Sequence, residues 1–246
     1  MSDIIINPGR EKGEPQLPDT GLLFINPGEA AQVVSLVKNH QGIRHFLFNS
    51  NLYHIPAAEK SNPYFIAGPA VGAPMAALTL EKLIALGARR IIMYGWCGSL
   101  NDALRAGDVL LPTWGVSDEG TSSHYPVKSR SESHEPTRKL LAEELAALKL
   151  NAMSGPVWTT DAPYRESKTR VQQLGEQGVL GVDMEFGALA AVAAFREIDI
   201  AAVLLVSDEL WSGTWKPGFH AKAFKKKNRE LLNFLMEFCA TRSTIK

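Results

Sequence analysis

An apolar strand, an amphipathic helix and a second apolar strand follow one another between residues 64 and 98. The segment YFIAG predicts the first strand, and RRIIMYGWCG predicts the second. Between them, GAPMAALTLEKLIALGA predicts a helix with Pro74 in its first turn and Gly87 at its end. Strand–helix–strand units of this length form parallel sheets with helices on their faces. The chain is therefore predicted to be an α/β protein.

The same alternation continues through the chain, without a linker or an internal repeat. We therefore predict a single domain over residues 1–246, in which the Pro- and Gly-containing residues 1–20 form an irregular N-terminal arm. The other predicted strands lie in GLLFIN, GIRHFLFNSN, GDVLLPTWGV, GPVWTT, VLGVD and IAAVLLVS. The other predicted helices lie in EAAQVVSLVKNH, PTRKLLAEELAALKL, FGALAAVAAF and FHAKAFKKKNRELLNFLMEFC.

Charge and cysteine content exclude several classes of function. The chain has 26 Lys plus Arg and 26 Asp plus Glu, so it lacks the positive charge that binds nucleic acid electrostatically. Cys97 and Cys239 are too few for a disulfide framework, and no Cys/His cluster predicts a metal site. Apolar runs such as 188–195 are shorter than the roughly 20 residues that span a membrane, and the start of the chain lacks a signal-peptide pattern. We expect a cytoplasmic protein without a membrane or nucleic-acid partner.

Polar residues follow several predicted strands, where ligands of open α/β sheets bind. Asp183 and Glu185 lie at a strand-to-helix junction, where a carboxylate either binds a ligand or caps the helix. Asp208 ends a buried strand, where it is either functional or the cap of the next segment. The sequence leaves these alternatives open. The other strand ends with turn glycines or polar residues are Pro27–Gly28, Gly95–Gly98, Asp161–Glu166 and Ser207.

Four motifs resemble those of the nucleoside phosphorylase superfamily, which includes the purine nucleoside and uridine phosphorylases. They are GAPMAALTLEKLIALGARRIIMYGWCGSLNDALRAGDVLLP, TTDAPYRE, GVDMEFGALAAVA and VLLVSDEL, in the family's order between about residues 21 and 239. No single motif is specific, but their order and spacing are. The resemblance implies a three-layer αβα sandwich with a central mixed sheet. It also implies cleavage of the N-glycosidic bond of a nucleoside, with phosphate as acceptor in phosphorylases and water in nucleosidases.

The resemblance also implies roles for individual residues. Glu185 and Asp208 are the predicted catalytic residues: Glu185 matches the carboxylate that holds the ribose hydroxyls, and Asp208 matches the acid that hydrogen-bonds N7 of a purine. Met184 matches the apolar residue under the sugar, while Val182 and Tyr164 match residues of the base pocket. Because uridine phosphorylases lack the acid, Asp208 favours a purine-like base. The remaining predicted substrate-binding residues are Arg165, Glu166, Ser207, Trp96 and Gly95.

The phosphate site of the family is not intact in this sequence. The family uses an Arg after the first strand, an Arg before the G-x-x-G turn and a Ser or Thr inside it. The corresponding residues here are Ala30 (or Gln32 one turn later), Met93 and Trp96. Met93 and Trp96 either fill an abandoned phosphate pocket or belong to one remodelled for a bulkier ligand. Glu29 lies near the water-activating Glu of the methylthioadenosine-type nucleosidases, but two residues early.

Gly28 and Arg44 remain as weak phosphate-binding candidates. The resemblance implies that Arg44 reaches the site of a neighbouring subunit, in a homodimer or a hexamer built from dimers. No cofactor is expected, and inorganic phosphate is a possible co-substrate. The predicted activity is phosphorolysis or hydrolysis of a nucleoside, and the alternative is a non-catalytic nucleoside-binding protein. A hydride-transfer enzyme is disfavoured, because no GxGxxG opens the first helix.

Overall fold

A mixed β-sheet forms the centre of the molecule. The computed structural model describes residues 4–127, 131–150 and 152–242. Within these residues ten strands form one sheet in the order β10-β9-β6-β7-β8-β5-β1-β4-β3-β2. The strands are β1 (Thr20–Phe24), β2 (Ile43–Leu47), β3 (Ser50–Ile55), β4 (Tyr64–Gly68), β5 (Arg90–Ser99), β6 (Val109–Asp118), β7 (Ala152–Thr160), β8 (Gly181–Asp183), β9 (Asp199–Glu209) and β10 (Lys216–Pro217).

Helices cover both faces of this sheet. They are α1 (Ala30–Asn39), α2 (Ala73–Ala85), α3 (Glu135–Ala147), α4 (Lys168–Glu176), α5 (Phe186–Arg196) and α6 (Lys222–Thr241). The apolar residues of α2 and α5 share one core cluster with the sheet, and those of α1, α3 and α6 share a second cluster on the other face. The predicted three-layer αβα sandwich with a central mixed sheet is therefore confirmed.

The central strands are buried on both faces, which explains their nearly continuous apolar sequences. β5 runs parallel to β1 on one side and to β9 on the other. The β5–β9 register shifts between Cys97 and Gly98, so that Gly98 lies opposite Asp208. This irregularity places the end of β9 against a glycine, which matters for the site described below.

Several elements, among them the short strand β10, differ from the sequence prediction. The single strand predicted in GIRHFLFNSN is wrong, because β2 and β3 form an antiparallel hairpin there. Helix α4 was not predicted, although its N-cap Ser167 accepts a hydrogen bond from the Arg170 backbone N–H at 3.2 Å. Before β1, residues 4–19 contain neither helix nor strand, and residues 1–3 of the predicted arm lie outside the described residues. In the described part of the chain, no helix combines the length and apolarity needed to cross a membrane.

Candidate active site

Gly98 is the point at which three strand ends meet. Its β5 backbone pairs with Val182 of β8 on one side and with Asp208 of β9 on the other. A Cβ atom at Gly98 would lie 3.1 Å from Val182 Cγ1 and 3.2 Å from Asp208 Oδ2. The missing side chain therefore allows β8 and β9 to pack closely against β5.

Glu185 lies just before α5, yet its carboxyl group does not cap that helix. The side chain is 4% exposed, and Oε1 accepts a hydrogen bond from the Gly72 backbone N–H at 2.6 Å, across to the start of α2. Burial raises the pKa of Glu185 to about 8, and the nearby charge of Asp183 adds to the increase. A buried carboxyl group with a raised pKa and no capping role is available for a ligand.

Asp183 carries out the structural role instead. Its Oδ2 accepts a hydrogen bond from the Phe186 backbone N–H at 2.7 Å, in the first turn of α5. Its Oδ1 accepts one from the Thr159 hydroxyl at 2.6 Å. Burial raises the pKa of Asp183 to about 6, although these hydrogen bonds lower it. Of the two acids of the VDME motif, Asp183 caps α5, and Glu185 remains a candidate for binding a ligand.

The pKa of Glu185 predicts a stability effect with a definite sign. A carboxyl group whose pKa rises from 4.5 to about 8 on folding binds more protons in the folded state, so stability falls as the pH rises through that window. Glu185→Gln keeps an acceptor for Gly72 and removes the titration. We expect this variant to be more stable than wild type by about 1–3 kcal/mol at pH 8, with a smaller difference at pH 5. Urea unfolding at both pH values measures it; an equal difference at both would contradict the prediction.

Asp208 is held by groups of its own strand and of the following loop. Its Oδ2 accepts a hydrogen bond from Trp215 Nε1 at 2.8 Å, and the Ser207 hydroxyl lies 2.5 Å from Oδ1. The Cys97 thiol lies within the fields of both Asp183 and Asp208, which add to the effect of burial in raising its pKa. The acids at the ends of β8 and β9 therefore flank one buried thiol. β8, which leads to Glu185, and the end of β9, which carries Asp208, lie on either side of β5 at Gly98.

The loop after β7 contributes one of its predicted residues to this place. Glu166 is half-buried, and burial together with the charge of Asp208 raises its pKa to about 7. Tyr164 is fully exposed and Arg165 is exposed. Of these three residues only Glu166 is partly buried, whereas the predicted aromatic ring of Tyr164 lies in solvent.

A second buried carboxyl group lies in the turn after β1. Glu29 is 1% exposed, and burial raises its pKa to about 7 although hydrogen bonds from Asn228 and Trp96 lower it. Asn228 Oδ1 accepts hydrogen bonds from Tyr94 Oη at 2.7 Å and from Trp96 Nε1 at 3.0 Å. Sequence reasoning missed Asn228, because it lies among lysines of an amphipathic helix and belongs to no motif. The network connects α6 to the first turn.

Comparison with known proteins identifies the chain. A family model described as the phosphorylase superfamily matches residues 19–239. This chain belongs to that superfamily. Guanosine phosphorylase of Halorubrum lacusprofundi is 25% identical over 194 residues, 78% of each chain. The DeoD-type purine nucleoside phosphorylase of Bacillus thuringiensis is 29% identical over 151 residues, 60% of this chain and 64% of that protein.

Solved structures of the superfamily share the fold. Uridine phosphorylase of Vibrio fischeri has a TM-score of 0.78 at 21% identity, covering 90% of this chain and 92% of that one. Purine nucleoside phosphorylase of Toxoplasma gondii, in complex with immucillin-H, has a TM-score of 0.79 at 19% identity, covering 93% and 92%. At these identities the likeness establishes the fold alone.

The remaining site predictions of this superfamily member are scattered over the structure. Met93 packs in the core cluster with α2 and α5, whereas Trp96 faces α6. The two residues therefore do not fill one pocket. Gly28 is exposed in its turn, and Arg44 lies on the outermost strand, where its guanidinium donates to Asn51 Oδ1 at 3.0 Å. Of the other predicted residues, Ser207 is buried, Met184 is half-buried, and Gly95 packs closely on Ile25.

The groups that face Glu185 and Asp208 do not form an anion site. Among the described residues, their hydrogen-bond partners are a backbone amide, an indole and a hydroxyl group, and none is a Lys or Arg. No set of three or more His, Cys, Asp or Glu side chains in the described ranges is arranged to hold a metal ion. A cavity of about 640 Å³ between α1, the β3–β4 connection and α6 contains none of the predicted site residues.

Proposed function

We propose that this chain cleaves the N-glycosidic bond of a purine-like nucleoside, with Glu185 on the ribose and Asp208 on the base. The observation that supports the proposal is that β8, which leads to Glu185, and the end of β9, which carries Asp208, both pair with β5 at Gly98. Glu185 is buried and not used as a cap, while Asp208 closes on Gly98 from the neighbouring strand. Ligands of open α/β sheets bind at such strand ends.

The two acids suit the charge changes of glycosidic cleavage. As the bond between sugar and base breaks, the sugar develops positive charge and the base gains electron density. Hydrogen bonds from two adjacent ribose hydroxyls would favour the ionised form of Glu185, which would then place negative charge near the sugar. Asp208 would hydrogen-bond the departing base, whose release is faster when it is protonated.

The structure of the first turn favours an acceptor other than phosphate. The positions at which the superfamily resemblance implies Arg and Ser or Thr donors hold Ala30, Met93 and Trp96 in this chain, and Met93 and Trp96 pack on opposite faces of the sheet. Each charge-assisted donor to an anion contributes about 1.5–3 kcal/mol. Losing three such donors would take phosphate affinity out of the millimolar range.

We therefore predict cleavage with weak or no dependence on phosphate. The experiment incubates the protein with a panel of purine and pyrimidine nucleosides, with and without phosphate, and identifies the sugar product. Free base with unphosphorylated ribose is the expected result. Saturation in sub-millimolar phosphate with ribose 1-phosphate as product would show that other donors bind the anion.

Hydrolysis has a specific observation in its favour. Glu29 Oε1 is buried and has no hydrogen-bond partner among the described residues, while burial brings the pKa of this group to about 7, which suits a base acting near neutral pH. Saturable nucleoside binding without release of base would instead support the non-catalytic alternative. The same panel, analysed by calorimetry as well as product release, separates the two.

We further propose a homodimer, or a larger assembly of dimers, in which Arg44 reaches the partner's cleft. An exposed apolar patch extends from the β2–β3 hairpin to the start of α2, next to the Gly72 segment that holds Glu185; it consists of Phe46, Phe48, Val71, Met75 and Leu78. The Asn49 amide donates to the Thr79 hydroxyl at 2.7 Å and fixes the hairpin against the helix. Contiguous exposed apolar patches commonly mark interfaces.

Sedimentation at micromolar concentration is expected to show a dimer or a larger species. Phe46→Glu should dissociate it and reduce cleavage, because it places a charge in the apolar patch. Leu148→Glu adds the same charge at an exposed site after α3 and should do neither. A wild-type monomer would contradict the shared site.

A further inference from the structure

The cavity between α1, the β3–β4 connection and α6 lies far along the sheet from the candidate active site. Tyr64, the first residue of β4, lines this cavity of about 640 Å³. Gly21 of β1 pairs with both Phe65 and Ile91, so Tyr64 lies level with the start of β5, whereas Gly98 lies near the end of that strand. The cavity is therefore at the opposite end of these parallel strands from the place where α/β sheets usually bind their substrates.

Hydrogen bonds hold the walls of this cavity in place. The β3–β4 connection is a tight turn in which the backbones of Ala58 and Ser61 exchange hydrogen bonds of 3.2 and 3.1 Å. The backbone N–H of Asn62 donates to the Ala240 carbonyl at 2.8 Å and fixes this connection to α6. The cavity is thus a preformed feature of the fold, as small-molecule sites usually are.

Tyr64 brings a hydroxyl group without a protein partner to this cavity. The residue is only 2% exposed, and its hydroxyl group makes no hydrogen bond with any described residue. Burial raises the pKa of Tyr64, so the hydroxyl group keeps its proton at neutral pH. A buried hydroxyl group without a partner costs free energy, and such groups normally bind water or a ligand. Tyr64 therefore offers a hydrogen-bond donor to an occupant of the cavity.

The other groups that line the cavity favour an uncharged occupant. Among the described residues, the other buried members of the lining are Ile55 and Met236, which are apolar and 2% exposed. The titratable side chains of the lining are His40, Lys60 and Glu237, which are exposed and of both signs. They therefore give the cavity no strong charge of one sign. Its volume lies within the range of small-molecule sites, about 300–1,000 Å³.

We propose that this cavity is a second ligand site, which binds a neutral aromatic molecule through a hydrogen bond from the Tyr64 hydroxyl to a carbonyl oxygen or ring nitrogen of the ligand. The Met236 thioether is a polarisable group that packs favourably against an aromatic ring. Within the described lining no carboxyl group is buried, so the site does not repeat the arrangement proposed for ribose. The inference goes beyond the proposed function and does not depend on it.

Two probes of nearly the same shape test the hydrogen bond. Acetophenone carries a carbonyl oxygen, and α-methylstyrene has a methylene group in its place. In protein labelled with carbon-13 at the methionine methyl groups, the Met236 signal, assigned with Met236→Leu, reports binding in this cavity. We expect acetophenone to shift this signal saturably and to bind about 3- to 10-fold more tightly than α-methylstyrene, the effect of one neutral hydrogen bond.

Tyr64→Phe removes the hydroxyl group and keeps the ring, so acetophenone should then bind no more tightly than α-methylstyrene. Tyr53→Phe, at a buried tyrosine of β3 outside the cavity, is the matched control and should bind both probes as wild type does. The comparison of the two probes in wild type does not depend on the folding of either variant. No saturable shift of the Met236 signal, equal affinities for the two probes in wild type, or an unchanged preference in Tyr64→Phe would overturn the proposal. None of these results bears on nucleoside cleavage, which is measured separately.

Discussion

Glu185→Ala is expected to lower kcat/KM for a ribosyl substrate by a factor that corresponds to about 2–5 kcal/mol of lost transition-state stabilisation. This is the largest loss we predict for a binding residue. The side chain is 4% exposed and is already directed by the Gly72 N–H, so its second oxygen and remaining lone pairs are available to two ribose hydroxyls. Truncation removes both contacts and leaves the Gly72 amide without its acceptor. Because the Glu185 side chain is buried, solvent replaces these hydrogen bonds poorly.

Steady-state kinetics and nucleoside calorimetry measure this loss. Glu143→Ala, on the exposed surface of α3, is the control for an equal truncation outside the site. Glu185→Gln separates folding from function: it should keep or increase stability while binding ribose more weakly, because a neutral amide is a weaker acceptor than a carboxylate. Undiminished kcat/KM in Glu185→Ala would place the sugar elsewhere.

The main helices and strands around the sheet were predictable because their sequence signals are local. The α2 helix and the β5 strand follow from apolar periodicity over a few turns, and Pro74 and Gly87 mark the helix ends. The candidate site was predicted from a second local signal, because ligands bind where buried strands end in polar residues. Glu185 and Asp208 were found from this rule together with the superfamily motifs.

The contacts that give each residue of the candidate site its role were not predictable from local signals. Gly72 and Glu185 are 113 residues apart, and Trp96 and Asn228 are 132 residues apart, so only the folded chain shows that they meet. Sequence spacing alone could not tell that Asp183 caps α5 and leaves Glu185 free.

Other residues were misjudged by spacing. An alternating strand directs Met93 and Trp96 to opposite faces, although both correspond to phosphate ligands in the superfamily motif. Tyr164 matches a pocket residue by order but is fully exposed in this chain. Motif position therefore predicts which segments hold the candidate site but not the direction of each side chain.

Asp208→Asn is expected to lower kcat by about 10²–10⁴-fold, with a smaller change in KM. The amide keeps the shape of the side chain and can still accept the Trp215 N–H, which lies 2.8 Å from Oδ2 in wild type. What it removes is the acid that we propose to hydrogen-bond the leaving base. Trp215→Phe tests the positioning role separately, and we expect a loss of about tenfold or less, because one neutral hydrogen bond contributes about 0.5–1.5 kcal/mol.

The pH profile of Asp208→Asn connects this residue to its neighbour. In wild type the charge of Asp208 contributes to raising the pKa of Glu166 to about 7. Without that charge the pKa of Glu166 falls. Any decline of activity at alkaline pH that arises from Glu166 should therefore begin at a lower pH in Asp208→Asn than in wild type. A decline of activity at the same pH as in wild type would show that Asp208 does not affect the pKa of Glu166. A wild-type kcat in Asp208→Asn would show that Asp208 takes no part in the reaction. Both results come from one set of rate measurements between pH 5 and 9, in which the fold of each variant is checked by its thermal unfolding.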